Sequence, residues 1–231
     1  MDSWIRFMAP VVPQSATSLM RVIDKKLSQG VKHIHLMLSS PGGSVFHGLS
    51  IHNFLKGIPI EVSTYNFGTV DSIGVVVFCA GSIRVSVPHA RFLIHGVNFN
   101  VGGPHTFDEK GLEEHLKLLK ADYQNIAKVI ADTTGRKTAQ IVDDMNTRIT
   151  LNPKEAKKYG LVHKVQSQLF PQGADFTVIY EDATIADVSP TPMQPALPMP
   201  IAPPDQRFTA PKLQGFTTAS VVLHGTYFPN C

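Results

Sequence analysis

Two periods organise the apolar positions of this chain. Alternation marks strands: Ile34, Leu36 and Leu38 share one face of a short segment, and Val62 and Thr64 predict a second. Arg84–Val87 and Arg91–Ile94 read as two more, separated by the turn Pro88-His89. Steps of three and four mark helices. Ala16, Leu19, Met20, Ile23 and Leu27 form one apolar face that stops at Gly30. Leu49, Ile51, Phe54 and Leu55 predict another helix, with Gly57 and Pro59 just past its end. The longest pattern is Leu112, Leu116, Leu119, Tyr123, Ile126 and Ile130, stepping by 4, 3, 4, 3 and 4. Such a seam needs a partner, from this chain or from another copy. A shorter helix is predicted from Pro153 to Gly160, followed by a strand Leu161–Val165. Strand–helix alternation predicts an α/β domain with a largely parallel sheet.

Composition narrows the class. The chain has 231 residues, 43% hydrophobic and 17% charged, enough for one domain with an appendage or for two small ones. A net charge of +3 is too mild to imply a nucleic-acid or acidic-membrane surface. Two cysteines, Cys79 and Cys231, exclude a disulfide framework and a cysteine-rich zinc site. The first residues, Met-Asp-Ser-Trp-Ile-Arg, have neither the basic nor the apolar region of a secretory signal. The longest apolar run, Ile73 to Ala80, is far short of the roughly 20 residues a membrane span needs. The expectation is a soluble, cytoplasmic protein with no nucleic-acid or membrane partner. Near residue 170 the composition changes, and seven of the sixteen residues from Ser189 to Pro204 are proline. We therefore expect a folded domain over 1–168 and a Pro-rich, partly disordered tail over 169–231. Two apolar patches in that tail, Phe176–Tyr180 and Ala219–Leu223, read equally as short edge strands or as sticky tail.

Three stretches could carry chemistry. Ser39-Ser40-Pro41-Gly42-Gly43-Ser44 joins a strand to a helix, and its N–H groups can point at an anion or oxyanion. Taken alone, a plain turn explains it as well. In Asp71-Ser72-Ile73-Gly74 a serine stands at the mouth of a buried apolar helix, as a nucleophile does on a tight turn. The sequence is not Gly-x-Ser-x-Gly, and in isolation Ser72 reads more simply as an N-cap. His95 ends an apolar strand and is followed by Gly96, where it could act as a base or merely bond locally. His33 and His35 alternate on one strand face, but no carboxylate stands at ligand spacing, so metal binding is not expected. Cys79 reads as a small buried residue.

The order of these pieces carries more than any one of them. A Gly-Gly turn is followed by a serine opening an apolar helix and, 23 residues later, by a histidine closing a strand. Then come Val101-Gly102-Gly103, the seam helix and Pro-Lys-Glu-Ala-Lys-Lys-Tyr-Gly-Leu-Val. This set resembles the proteolytic subunit of the Clp protease, the ClpP family of serine peptidases, over about Trp4 to Val165. The resemblance implies a ClpP/crotonase-type spiral of β-β-α units. It implies Ser72 as nucleophile, His95 as general base, and the N–H groups of Gly43 and Ile73 as oxyanion hole. It further implies that Gly96–Gly103 pairs with a peptide or unfolded-protein substrate, that the seam helix interlocks two rings, and that an AAA+ unfoldase docks. No metal or organic cofactor is required.

Departures from the family pattern matter. The family's aspartate should stand twelve residues before Gly160, where this chain has Arg148; Asp143, Asp144 and Asn146 are nearby, and Asp144 is the candidate third member. The chain starts almost at the first strand, which leaves little of the family's flexible axial segment. The leading reading is a serine endopeptidase. Its rivals are a catalytically inactive ClpP-like subunit of a mixed ring and, more distantly, a crotonase-type acyl-CoA enzyme.

Overall fold

The computed structural model describes residues 1–98 and 106–188. The elements run β1 (Asp2–Met8), α1 (Pro13–Ser28), β2 (His33–Ser40), α2 (Val45–Gly57), β3 (Glu61–Asp71), α3 (Ile73–Phe78), β4 (Ile83–Ser86) and β5 (Arg91–Ile94). They continue with α4 (Glu109–Thr134), α5 (Thr138–Thr147), β6 (Ile149–Leu151), α6 (Pro153–Tyr159), β7 (Lys164–Val165), β8 (Phe176–Ile179) and β9 (Ile185–Val188). The expected α/β architecture is present, with one sheet ordered β6-β5-β3-β2-β1-β8-β9 and with β4 joining β3 to β7. Its pairings are parallel except β5–β6 and β8–β9.

The sheet is buried on both faces, as a parallel sheet must be. Ile5, Phe7, Ile34, Leu36, Leu38 and Val62 face the main core, to which α1, α2 and α3 contribute Leu19, Ile51 and Phe78. Trp4, Met37, Tyr65, Val85, Phe176 and Val178 make a second cluster from the alternate strand positions.

Strand β3 is the hinge of the design. Its first half pairs with β4 from Ser63 to Asn66, and its last residues, Thr69 to Asp71, pair with β5. Between them Gly68 N–H donates to Asn66 Oδ1, and the β2–β3 register shifts between Leu38 and Ser40. The two short strands flanking Pro88-His89 are therefore not a hairpin, since both pair with β3.

Helix α6 is legible in its caps. Asn152 Oδ1 accepts from the N–H groups of Lys154 and Glu155, Glu155 returns a bond to Asn152 N–H, and Gly160 ends the helix at φ 94°. The strand expected at Leu161–Val165 shrinks to Lys164–Val165. Leu161 and Val162 are spent on the core, and the ladder begins where His163 N–H meets Arg84 O.

The seam helix divides its work. Ile126 and Ile130 are buried against this chain's own core. Toward the amino end Leu112, Leu116 and Leu118 are 57%, 50% and 56% exposed.

The segment from Phe176 corrects the expected boundary at Gln168. Phe176–Ile179 is buried along its length and pairs in parallel with β1, so it is an inner strand covered by β9. Proline density marks the stretch after Ser189, well beyond the boundary at Gln168 that it was used to set. The Pro-rich tail and Ala219–Leu223 lie outside the described residues, as does most of the Gly96–Gly103 segment.

Candidate active site

The carboxyl ends of β2, β3 and β5 converge. β2 passes into Pro41-Gly42-Gly43-Ser44 before α2, β3 ends at Asp71, and β5 ends at Ile94. Asp71 is in register with Leu93, and Ser72 N–H donates to Leu93 O at 2.8 Å. Ser72 and His95 thus stand at the ends of adjacent parallel strands.

Ser72 has φ 57° and ψ −129°. A side-chain-bearing residue in that region stores about 1–3 kcal/mol of strain, and such strain gathers at functional turns. Ser72 does stand at the N-cap position of α3, but its side chain makes no capping hydrogen bond, so capping does not account for it. The turn is held from below by Gly42, where a Cβ would stand 2.6 Å from Ser72 Cβ. Gly43 has φ 146°, and a Cβ there would lie 2.3 Å from Val11 O. Only glycine fits, because Val11 N–H bonds Gly42 O while Ser44 N–H bonds Val11 O, clamping the turn to the segment after β1.

Those clamps leave the N–H of Gly43 unspent among the described residues. Ile73 N–H is the first of α3 and has no intrahelical acceptor. Two free donors beside a strained serine suit a developing oxyanion.

His95 is half-buried, and its Nδ1 lies 2.6 Å from Gly96 O. A carbonyl only accepts, so Nδ1 carries the proton, and in the neutral ring Nε2 is the acceptor. That is the tautomer a general base needs.

The third position departs from a triad. Ile94 pairs with Ile149, and one further step along this antiparallel ladder puts Arg148 across from His95. Arg148 is exposed and caps α5 in the left-handed conformation, at φ 55°. Asp144 is committed elsewhere, accepting a 2.5 Å hydrogen bond from the Tyr159 hydroxyl. Burial first, then Asp144, pushes that phenol well above its ordinary range. Asn146 is likewise engaged by Tyr123. Among the described residues no carboxylate bonds His95.

One charged residue was not singled out from the sequence. Asp71 is buried, and its Oδ2 accepts from Arg91 Nη2 at 2.8 Å, while Oδ1 has no hydrogen-bond partner among the described residues. Burial raises its pKa, against the opposing pull of Arg91 and of nearby His95. The signal was its place directly before Ser72, but its partner is twenty residues away and only the β3–β5 register joins them.

A sequence profile of the Clp protease family matches residues 4–168. The chain belongs to the Clp protease family. It is 35% identical over 138 residues to ATP-dependent Clp protease proteolytic subunit 3 of Rhodococcus jostii, covering 59% of this chain and 66% of that protein. It is 32% identical over 145 residues to the ATP-dependent Clp protease proteolytic subunit of Bdellovibrio bacteriovorus, covering 62% and 68%. Subunit 2 of Chlamydia trachomatis is 27% identical over 157 residues, covering 67% and 75%. The chain thus spans about two thirds of the length of the first two relatives. Its family is one of serine peptidases, and the Clp protease match decides against the acyl-CoA reading. Among the described residues no helix is long and apolar enough to cross a membrane.

Proposed function

We propose that this Clp protease family member is a serine endopeptidase working through a Ser72–His95 pair. The observation that carries the reading is the strained backbone of Ser72, set beside the end of the strand that bears His95. As Ser72 Oγ attacks a peptide carbonyl carbon, its proton passes to His95 Nε2. The carbonyl oxygen takes the negative charge and is held by the N–H groups of Gly43 and Ile73. His95 then gives the proton to the leaving amine, and water, deprotonated by the same imidazole, hydrolyses the acyl ester. The substrate class is peptide or unfolded protein, in the cytoplasm, and no cofactor enters the steps. The relatives are named ATP-dependent, which supports an AAA+ unfoldase as partner. The exposed Leu112 and Leu116 on the seam of α4 support a homo-oligomeric ring, since this end of the seam is not covered by the chain's own core.

A second reading is favoured by Arg148 and by the missing carboxylate on His95: an inactive subunit that shapes a mixed ring. One experiment separates the two. Intact protein is treated with a fluorophosphonate and the adduct located by mass. Labelling at Ser72, abolished in a folded Ser72→Ala variant, supports the peptidase. No labelling of folded wild type supports the inactive subunit, and labelling at another serine refutes the assignment.

A further inference from the structure

The far end of the sheet holds a second constellation. β1, β2 and β3 are parallel and begin together, so Asp2, His33 and Glu61 stand in register at their amino ends. Along β3, Asp71 is ten residues from Glu61, roughly 33 Å at strand rise, so this edge is distinct from the Ser72 turn.

His33 and His35 are two apart on β2 and share a face, which the sequence already indicates. No carboxylate stands near them in sequence, but the β1–β2 register supplies one. Asp2, His33 and His35 each offer a ligand atom, and these atoms lie within 4.8 Å of one another. Asp2 Oδ2 already sits 3.3 Å from His35 Nε2. Glu61 Oε2 is 3.9 Å from His33 Nδ1. A zinc-sized ion bound at about 2.0–2.2 Å by each ligand needs donors roughly 3.3 Å apart, within reach of a small side-chain turn.

The outer nitrogens of both rings are held as well. His35 Nδ1 meets the Tyr65 hydroxyl and His33 Nε2 meets Ser63 Oγ, each at 2.8 Å. Both hydroxyls come from β3. Ligand histidines commonly have the second nitrogen so anchored, which fixes the ring and aims the first nitrogen.

We propose that Asp2, His33 and His35 form a binding site for a divalent transition-metal ion of the zinc class. Two imidazoles and a carboxylate suit zinc, nickel or copper better than magnesium or calcium. His35 ligates through Nε2, His33 through Nδ1 and Asp2 through one oxygen. The fourth position falls to water or to Glu61. The ion ties β1 to β2 at an edge where the strands otherwise begin without a turn between them.

The chain carries its own reporter. Trp4 is its single tryptophan, and that ring stacks on His35 with centroids 3.9 Å apart. Ni²⁺ at His35 quenches the emission of the Trp4 ring stacked on it. The experiment titrates the full chain with Ni²⁺, reads Trp4 emission, and reverses the quench with Zn²⁺, which does not quench. The expected result is a saturable one-site quench, displaced by Zn²⁺, whose midpoint rises at least about tenfold in both Asp2→Asn and His33→Gln. Neither variant touches the core, and melting curves taken without metal check that both fold. No saturable quench below about 100 µM, or an unchanged midpoint in the folded variants, overturns the site.

Discussion

His95 donates its Nδ1–H to the carbonyl of its own neighbour, Gly96, at 2.6 Å. The backbone therefore sets the tautomer that a triad aspartate would set, but it brings no negative charge to the imidazolium that forms in catalysis. We expect a slow dyad. Installing the missing charge with Arg148→Asp should raise kcat/KM on a fluorogenic peptide at least about tenfold, roughly 1.4 kcal/mol of transition-state stabilisation. Asp144→Asn should leave kcat/KM nearly unchanged, because that carboxylate serves Tyr159. A hundredfold loss in a folded Asp144→Asn variant would make Asp144 the third member after all.

The conformation of Ser72 gives a prediction on stability rather than rate. Glycine adopts the φ 57°, ψ −129° conformation freely, whereas serine does so under strain. Ser72→Gly should therefore abolish hydrolysis yet raise stability by about 1 kcal/mol, or a melting temperature higher by about 2–4 °C. Ser72→Ala keeps the strain and should melt with the wild type. Equal melting of the glycine and alanine variants would show that the turn is unstrained.

Local patterns explain what was legible. The alternation of Ile34, Leu36 and Leu38 is β2, and the caps around Pro153 and Gly160 are α6, because each depends on residues near one another in sequence. What failed was pairing. Period-2 alternation does not name a strand's partner, so nothing in the pattern around Pro88-His89 indicates that β4 and β5 both lie along β3. The same holds for chemistry. Ser72 could be singled out from its own turn, whereas the Asp71–Arg91 pair and the Asp2–His35 contact exist only through strand register.

The buried strand at Phe176 reverses what the proline pattern implied about truncation. Phe176, Val178 and Ile179 are all buried, and fully burying such side chains contributes about 1.5–3 kcal/mol each. Their sum approaches the whole stability of an ordinary domain, about 5–15 kcal/mol. Cutting after Gln168 would also bare the edge of β1 for unwanted pairing. That fragment should aggregate or lose its cooperative melt, while a cut after Val188 removes none of the described strands and should keep it. Matching melting temperatures for the two fragments would mean that β8 adds little.

Arg84 holds the join between β4 and α6. It is buried, and among the described residues it has no carboxylate partner; instead Nε donates to Leu161 O at 2.8 Å, Nη1 to Gly81 O at 3.1 Å and Nη2 to Gly160 O at 3.3 Å. Arg84→Met fills the volume but strands these carbonyls, at about 1–3 kcal/mol for each that stays dry. We expect a loss of at least about 3 kcal/mol in urea unfolding, with Arg84→Lys recovering only part, because an ammonium cannot reproduce the planar fork. A loss below about 1 kcal/mol in Arg84→Met would show that water replaces the guanidinium at little cost.

His52 predicts how stability responds to acid. It is buried in α2, where its Nδ1–H donates to Val76 O at 2.8 Å. Burial lowers its pKa below the ordinary 6.5, Lys56 adds to the lowering, and the Val76 bond opposes it. In the unfolded chain the imidazole titrates at its ordinary value, so on acidification the unfolded state takes the proton first. Stability then falls as pH drops below 6.5, and the loss levels off once the folded His52 also protonates. Above 6.5 the contribution is fully present. His163 shifts the same way, through burial and then Arg84, whereas Asp71, raised by burial, works in the opposite sense as pH rises from the carboxylate range. A difference measurement removes both. Urea unfolding of wild type and His52→Gln, whose amide can still bond Val76 O, is followed from about pH 7.5 to about pH 5.5. The wild type should lose more stability than the variant across that range, with the gap opening below 6.5. Parallel curves would mean that His52 is as easily protonated in the folded protein as in the unfolded chain.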